Sequence, residues 1–165
     1  MFRKLIATPN DYVLTLVRLV LAAVMFPHGA QKVLGWFGGY GFAGTMGFFT
    51  GKIGLPWPLA LLVIAIEFGG SLLLALGLLG RGAALGIVAV MVGAVVTVHG
   101  QFGFFMDWNR NQPGEGFEYH LLAIALALVV VVRGSGAFSL DRLLQRRTRT
   151  ANASLNTGAA VPAVA

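Results

Sequence analysis

The sequence predicts an all-α integral membrane protein: a four-helix transmembrane bundle with an interfacial helix or loop between its first and second helices. Three observations carry that prediction. Only 11% of the 165 residues are charged and 57% are hydrophobic, with a mean hydropathy of +0.80. A soluble domain carries about 25% charged residues, and a chain with so few cannot clothe a surface that faces water. Four long apolar stretches follow one another, each bounded by glycine, proline or charge. The connections on one side of them are crowded with aromatic rings, which settle at headgroup depth in a bilayer.

The first stretch, about residues 13–33, reads VLTLVRLVLAAVMFPHGAQKV. A spanning helix needs about 20 mainly apolar residues at about 1.5 Å rise each, and this stretch has them. Arg3 and Lys4 ahead of it resemble the basic start of a signal peptide. The apolar stretch is long, however, contains Arg18 and is followed by no Ala-x-Ala cleavage site, so it reads as a retained helix. The loop after it, GWFGGYGFAGTMGFFTGKIGLPWP, predicts a short interfacial helix around residues 42–50. Its GYGFAG, residues 39–44, matches the Gly-x-Gly-x-x-Gly fingerprint of dinucleotide sites. That fingerprint needs a strand before it, a helix opening on it and an acid ending a second strand. Here it lies between membrane helices and the next acid, Glu67, sits inside an apolar helix. The match is a by-product of 23 glycines.

The second and third stretches, about 57–79 and 82–100, are joined by a tight Gly-Arg-Gly turn, which makes them antiparallel neighbours. The fourth, about 117–132, is shorter, which puts Glu118, Tyr119 and His120 at the membrane boundary. Residues 1–147 form a single membrane domain on this reading, with a short basic helix from SLDRLLQRRTR on the inner leaflet. The tail, 148–165, has small and polar residues without period and is expected to be disordered.

An even number of spans places both termini on one side. That side carries Arg3, Lys4, Arg81, Arg133, Arg142, Arg146, Arg147 and Arg149, against Lys32, Lys52 and Arg110 on the other. Cytoplasmic flanks carry the lysine and arginine excess, so both termini are expected in the cytoplasm. The net charge of +6 is thereby a matter of topology and does not point to nucleic acid. The absence of cysteine excludes disulfides, iron–sulfur ligation and thiol nucleophiles within this chain.

An ionisable residue inside a span costs about 2.5–3.5 kcal/mol on insertion scales and needs a reason. Two stand out, Arg18 in the first helix and Glu67 in the second. Pairing them is the economical expectation, either as a lock between the two helices or as a proton or substrate relay. At 100° per residue, Arg18, Met25, His28 and Lys32 share one sector of the first helix. Gly70 and Ser71 give the face of Glu67 a small-residue surface that lets another helix approach. His28, Lys32, His99, Glu118 and His120 gather at the outer level and are read as the edge of a ligand cavity. Capping of the fourth helix explains Glu115 and Glu118 at least as well. The three histidines show no close pair in sequence, and no metal or haem site is predicted from them.

The chain resembles the DoxX family of small four-helix bacterial membrane proteins. The resemblance is carried by the arginine of the first helix, by PHGAQKVLGWFGG (27–39), EFGGSLLLALGLLGRGAAL (67–85) and HGQFGFF (99–105), and by GEGFEYHLL (114–122). It covers about residues 13–145. The family's helix-one arginine and helix-two glutamate correspond to Arg18 and Glu67, and its His-Gly-x-x-Lys to His28, Gly29 and Lys32. The resemblance implies residence in the bacterial inner membrane and a redox role. The protein would be a subunit of a quinone-linked oxidoreductase or oxidative-stress complex, with redox-protein partners and a small apolar redox ligand such as a quinone. No electron carrier is evident in the chain, and the lack of cysteine sits poorly with direct sulfur transfer. Two alternatives stay open, a non-catalytic anchor for a redox complex and a small transporter or channel. Homo-oligomerisation stays open too.

Overall fold

The computed structural model describes residues 2–148, so the expected disordered tail lies, from residue 149 onward, outside the described residues. After a short turn of helix, Phe2–Leu5, come α1 (Tyr12–Leu34), α2 (Gly41–Gly47), α3 (Trp57–Leu76), α4 (Gly80–Phe102) and α5 (Glu118–Arg133), with α6 over 140–148. No strand occurs among the described residues, and the fold is all-α. Helices α1, α3 and α4 are each long and apolar enough to cross a membrane. α5 has 16 residues and so spans about 24 Å, short of a hydrocarbon core of about 30 Å. Three helices of full length and one a few residues short therefore make the bundle.

Local chemistry explains the boundaries. Asp11 caps α1, its Oδ1 accepting from the backbone N–H of Val13 and Leu14 at 2.9 and 3.2 Å. Gly35 ends the helix in the left-handed region at φ 72°. A proline in the first turn of α3 has no N–H to lose there. The expected interfacial helix is α2, extended by a π-helical turn at Phe48–Lys52. Trp36, Phe37, Tyr40, Trp57, Phe105 and Trp108 are exposed around that end of the bundle, which we call the mouth. The end where α1 begins and α5 finishes is the base.

The core runs through the base half: Leu21, Met25, Leu74, Ile87, Ala127 and Val130 have no exposed surface. Register between α1 and α3 is set at Gly29. A Cβ there would lie 2.5 Å from Phe68 Cα, so only glycine lets the two backbones cross this closely. Gly29→Val is expected to lower stability by about 1–3 kcal/mol, the cost of overpacking, in thermal unfolding of detergent-solubilised protein. An unchanged midpoint would contradict this crossing.

The crossing also decides which charges meet. It sets Glu67 level with Gly29 and beside Lys32, while Arg18 lies eleven residues below, about 16 Å along α1. Arg18, 1% exposed, reaches the base instead. Its Nε donates to Ser135 O at 2.8 Å and its Nη2 to Phe138 O at 2.6 Å. Its Nη1 donates to the carbonyls of Leu74 and Ala75. The expected Arg18–Glu67 pair does not form. The last carbonyls of a helix lack intrahelical donors, and the arginine fork satisfies those of α3 at the partially negative helix end.

Two further residues close the base. Asp141 is buried and accepts from Leu79 N, Gly80 N and Ser135 Oγ at 2.8, 3.0 and 2.6 Å, capping α4 from a distant part of the chain. Arg81 donates to the carbonyls of Ala7, Val131 and Val132 and so performs for α5 what Arg18 does for α3.

Candidate ligand cavity at the mouth

α3 packs on α4 from Ile66 toward the base, whereas its outer half, Trp57–Ala65, packs on α1, α2 and the turn after it. The wedge left between α3 and α4 is a cavity of about 590 Å³. Most of its wall is apolar, supplied by Phe48 and Phe49, by Leu59, Leu62 and Ile66 of α3, and by Val90 and Val98 of α4. Leu59 and Leu62 also remain exposed on the outer flank of the wedge. Three π-helical turns border it, Phe48–Lys52 supplying Phe48 and Phe49, Ile66–Gly70 carrying Glu67 and Val95–His99 carrying His99. A π-turn rotates the following side chains relative to an α-helix, and such turns recur at functional sites.

The polar groups gather on one part of that wall. Lys32 Nζ stands 2.5 Å from Glu67 Oε2, with the glutamate side chain 6% and the lysine side chain 23% exposed. His28 lies one helical turn below Lys32, and its ring is 5.5 Å from that of Tyr119. Tyr119 donates to Met25 Sδ at 3.4 Å and meets His120 edge-on, and the ring of His120 is 4.2 Å from that of His99. His99 Nδ1 is 2.8 Å from Glu115 O. A carbonyl can only accept, so that nitrogen carries the proton. His120 Nδ1 is buried and has no hydrogen-bond partner among the described residues. A buried polar atom without a partner costs about 1–3 kcal/mol, and it asks for an explanation.

Of the residues singled out from sequence, His28, Lys32, Glu67, His99 and His120 all line this cavity. Arg18 does not, being committed to the base. Glu118 does not line it either. Its Oε1 accepts from Met106 N at 3.1 Å, and its own N–H donates to Phe104 O at 2.8 Å, pinning the loop between α4 and α5. Glu115 takes the expected place at the edge, with its carbonyl on His99 and its Oε2 accepting from Asp107 N at 2.6 Å. Tyr119 belongs to the cavity as well. Its place beside Glu118 and His120 at the membrane boundary was visible in the sequence, but its ring could have faced lipid. Among the described residues no three His, Cys, Asp or Glu side chains gather as metal ligands.

The arrangement can bind a small apolar molecule that carries a polar edge. The aliphatic and aromatic wall supplies burial at about 25 cal/mol per Å². An ammonium, a carboxylate and imidazoles then offer donors and acceptors at one end of it.

The DoxX family model matches residues 13–100. A Bacillus subtilis (strain 168) protein named "Putative oxidoreductase CatD" is 30% identical over 139 residues, 84% of this chain and 92% of that protein. "Inner membrane protein YqjF" of Escherichia coli (strain K12) is 30% identical over 132 residues, 80% of this chain and 92% of its own. No solved structure matches the chain.

Proposed function

The chain belongs to the DoxX family, and from that premise we propose that it is the ligand-binding membrane subunit of a quinone-linked oxidoreductase or oxidative-stress complex. The observation that carries the reading is the coincidence of the Lys32–Glu67 pair and the unpartnered His120 Nδ1 on the wall of one apolar cavity. A quinone ring suits that wall. A quinone carbonyl oxygen accepts hydrogen bonds, which His28, Lys32 and an N–H of His120 would donate at the polar end of the cavity. Reduction of a quinone to a quinol takes up two electrons and two protons. Glu67 and the imidazoles are groups of the kind that pass protons, and a redox partner protein would supply the electrons. The name of the Bacillus relative supports a redox assignment, and that of the Escherichia relative supports the inner membrane.

The same reading has α1, α3, α4 and α5 each crossing the bilayer, with the base and both termini cytoplasmic. Arg3, Lys4, Arg81, Arg133, Arg142, Arg146 and Arg147 all lie toward the base, which supports that orientation. Terminal reporter fusions should be active only inside the cell; activity only outside would reverse the topology.

Titration of purified protein with short-chain benzoquinones and naphthoquinones tests the ligand. Saturable binding is expected. His28→Ala should weaken it by about two- to tenfold, the worth of one buried hydrogen bond of about 0.5–1.5 kcal/mol. Absence of saturable binding to the wild type would end the quinone reading and leave a non-catalytic anchor in its place.

A further inference from the structure

The cavity at the mouth is also open sideways, between α3 and α4. The two helices are in contact at Ile66 and Gly86, where a Cβ on the glycine would stand 3.0 Å from Ile66 Cγ2. Toward the mouth the seam parts. Leu59 and Leu62 form one lip of it, and Ala89, Gly93 and Thr97, four residues apart along one face of α4, form the other. All five are exposed, yet they line the same cavity as Glu67 and His120, which are only 4 and 5% exposed. A Cβ on Gly93 would meet nothing within 4 Å, so the gap at that lip is unfilled.

We propose that this gap is a lateral portal through which the ligand enters from the bilayer and in which its hydrocarbon tail stays, with Gly93 setting the width of the passage. The proposal rests on the quinone reading of the polar wall and adds the form of the ligand, a quinone with an isoprenoid or alkyl tail rather than a bare ring.

Depth supports the portal. Gly93 lies thirteen residues from the start of α4 and nine from its end, about 20 and 14 Å along the helix. Leu62 lies five residues from the outer end of α3, about 8 Å. In a hydrocarbon core of about 30 Å both lips then face acyl chains, in the half nearer the mouth and below its aromatic rim. The lips also carry no polar group that asks for water. The Thr97 hydroxyl donates to Gly93 O at 2.8 Å within its own helix, and the other four residues are leucine, alanine or glycine. Lipid tails are as apolar as leucine, so a tail gains little by moving from lipid into the groove. What the portal supplies is room for the tail while the ring reaches the inner end. There the buried, unpartnered His120 Nδ1 supplies the attraction.

The test compares two probes on the full-length protein in detergent: menadione, a naphthoquinone without a tail, and the same ring bearing a geranylgeranyl chain. Gly93→Leu puts a side chain into the gap, and the helix should tolerate it, since glycine is the poorer helix former. Menadione affinity should stay within about twofold of the wild type, whereas the tailed probe should bind about tenfold or more weakly, the effect of overpacking its path. Partitioning of the tailed probe into micelles is common to both proteins and cancels. Equal loss for the two probes, or no loss for either, would overturn the portal. So would a Gly93→Leu variant that only breaks self-association, which would give this face to a second copy of the chain. Absence of menadione binding to the wild type would count against the quinone reading instead, and a second measurement then decides the portal. The chain has no cysteine, so Ala94→Cys on the cavity wall takes a single nitroxide label in proteoliposomes. Greater relaxation by oxygen, which concentrates in hydrocarbon, than by a water-soluble nickel chelate supports an opening to lipid. The reverse order would mean a cavity open only to water and would overturn it.

Discussion

Arg18→Gln is expected to destabilise the bundle by about 3–5 kcal/mol, the cost of removing one partner from a buried charged network. The guanidinium ties α1 to the end of α3 and to the segment between α5 and α6 through four carbonyls, of which Leu74 O also accepts from Gly77 N at 3.0 Å. Losing it strands several buried acceptors, at about 1–3 kcal/mol each before relaxation. Arg18→Lys should recover little, because a compact ammonium on a flexible stem cannot address four carbonyls on two segments at once. Thermal unfolding in detergent reads the loss. Ligand affinity at the mouth should stay at the wild-type value in whatever fraction remains folded. A variant as stable as the wild type, or one whose defect is confined to binding, would contradict a purely architectural Arg18.

Glu67→Gln and Lys32→Met should each cost about 3 kcal/mol in the same assay. That is the lower end for breaking a buried pair, because the lysine keeps some exposure. The double variant should be more stable than the sum of the two losses, with a coupling of about 1–3 kcal/mol. Quinone binding should fall in all three variants, since both groups face the cavity. Additive losses would mean that the two side chains do not interact. Binding that survives the double change would remove the pair from the site.

The contrast between these two arginine and glutamate positions marks where sequence reasoning stopped. The price of burying a charge identified both residues, and helical periodicity placed His28 and Lys32 on one side of α1. Aromatic density located the interfacial helix. The partners were harder. Arg18 is satisfied by backbone carbonyls, which every residue carries and no letter marks. Glu67 meets Lys32 because Gly29 fixes the register, and among 23 glycines nothing distinguishes that one until two backbones are seen to cross. Glu115 rather than Glu118 reaches the cavity edge because of loop geometry between α4 and α5, which has no period to read. Asp141 caps a helix 61 residues earlier in the chain, a pairing that no local capping pattern announces.

The separation of Arg18 from Glu67 has a bioenergetic consequence. Between the base network and the polar wall of the cavity stands an apolar layer, with Leu21 and Met25 of α1, Leu74 of α3 and Ile87 of α4 all without exposed surface. Arg18 and His28 are ten residues apart, about 15 Å along the helix. On the proposed redox reading, protons consumed or released at the mouth would be exchanged with the face on which the mouth opens. Redox turnover there would acidify or alkalinise one compartment only, and the bundle itself would move no net charge across the bilayer. Any contribution to a membrane potential would have to come from the route its electrons take.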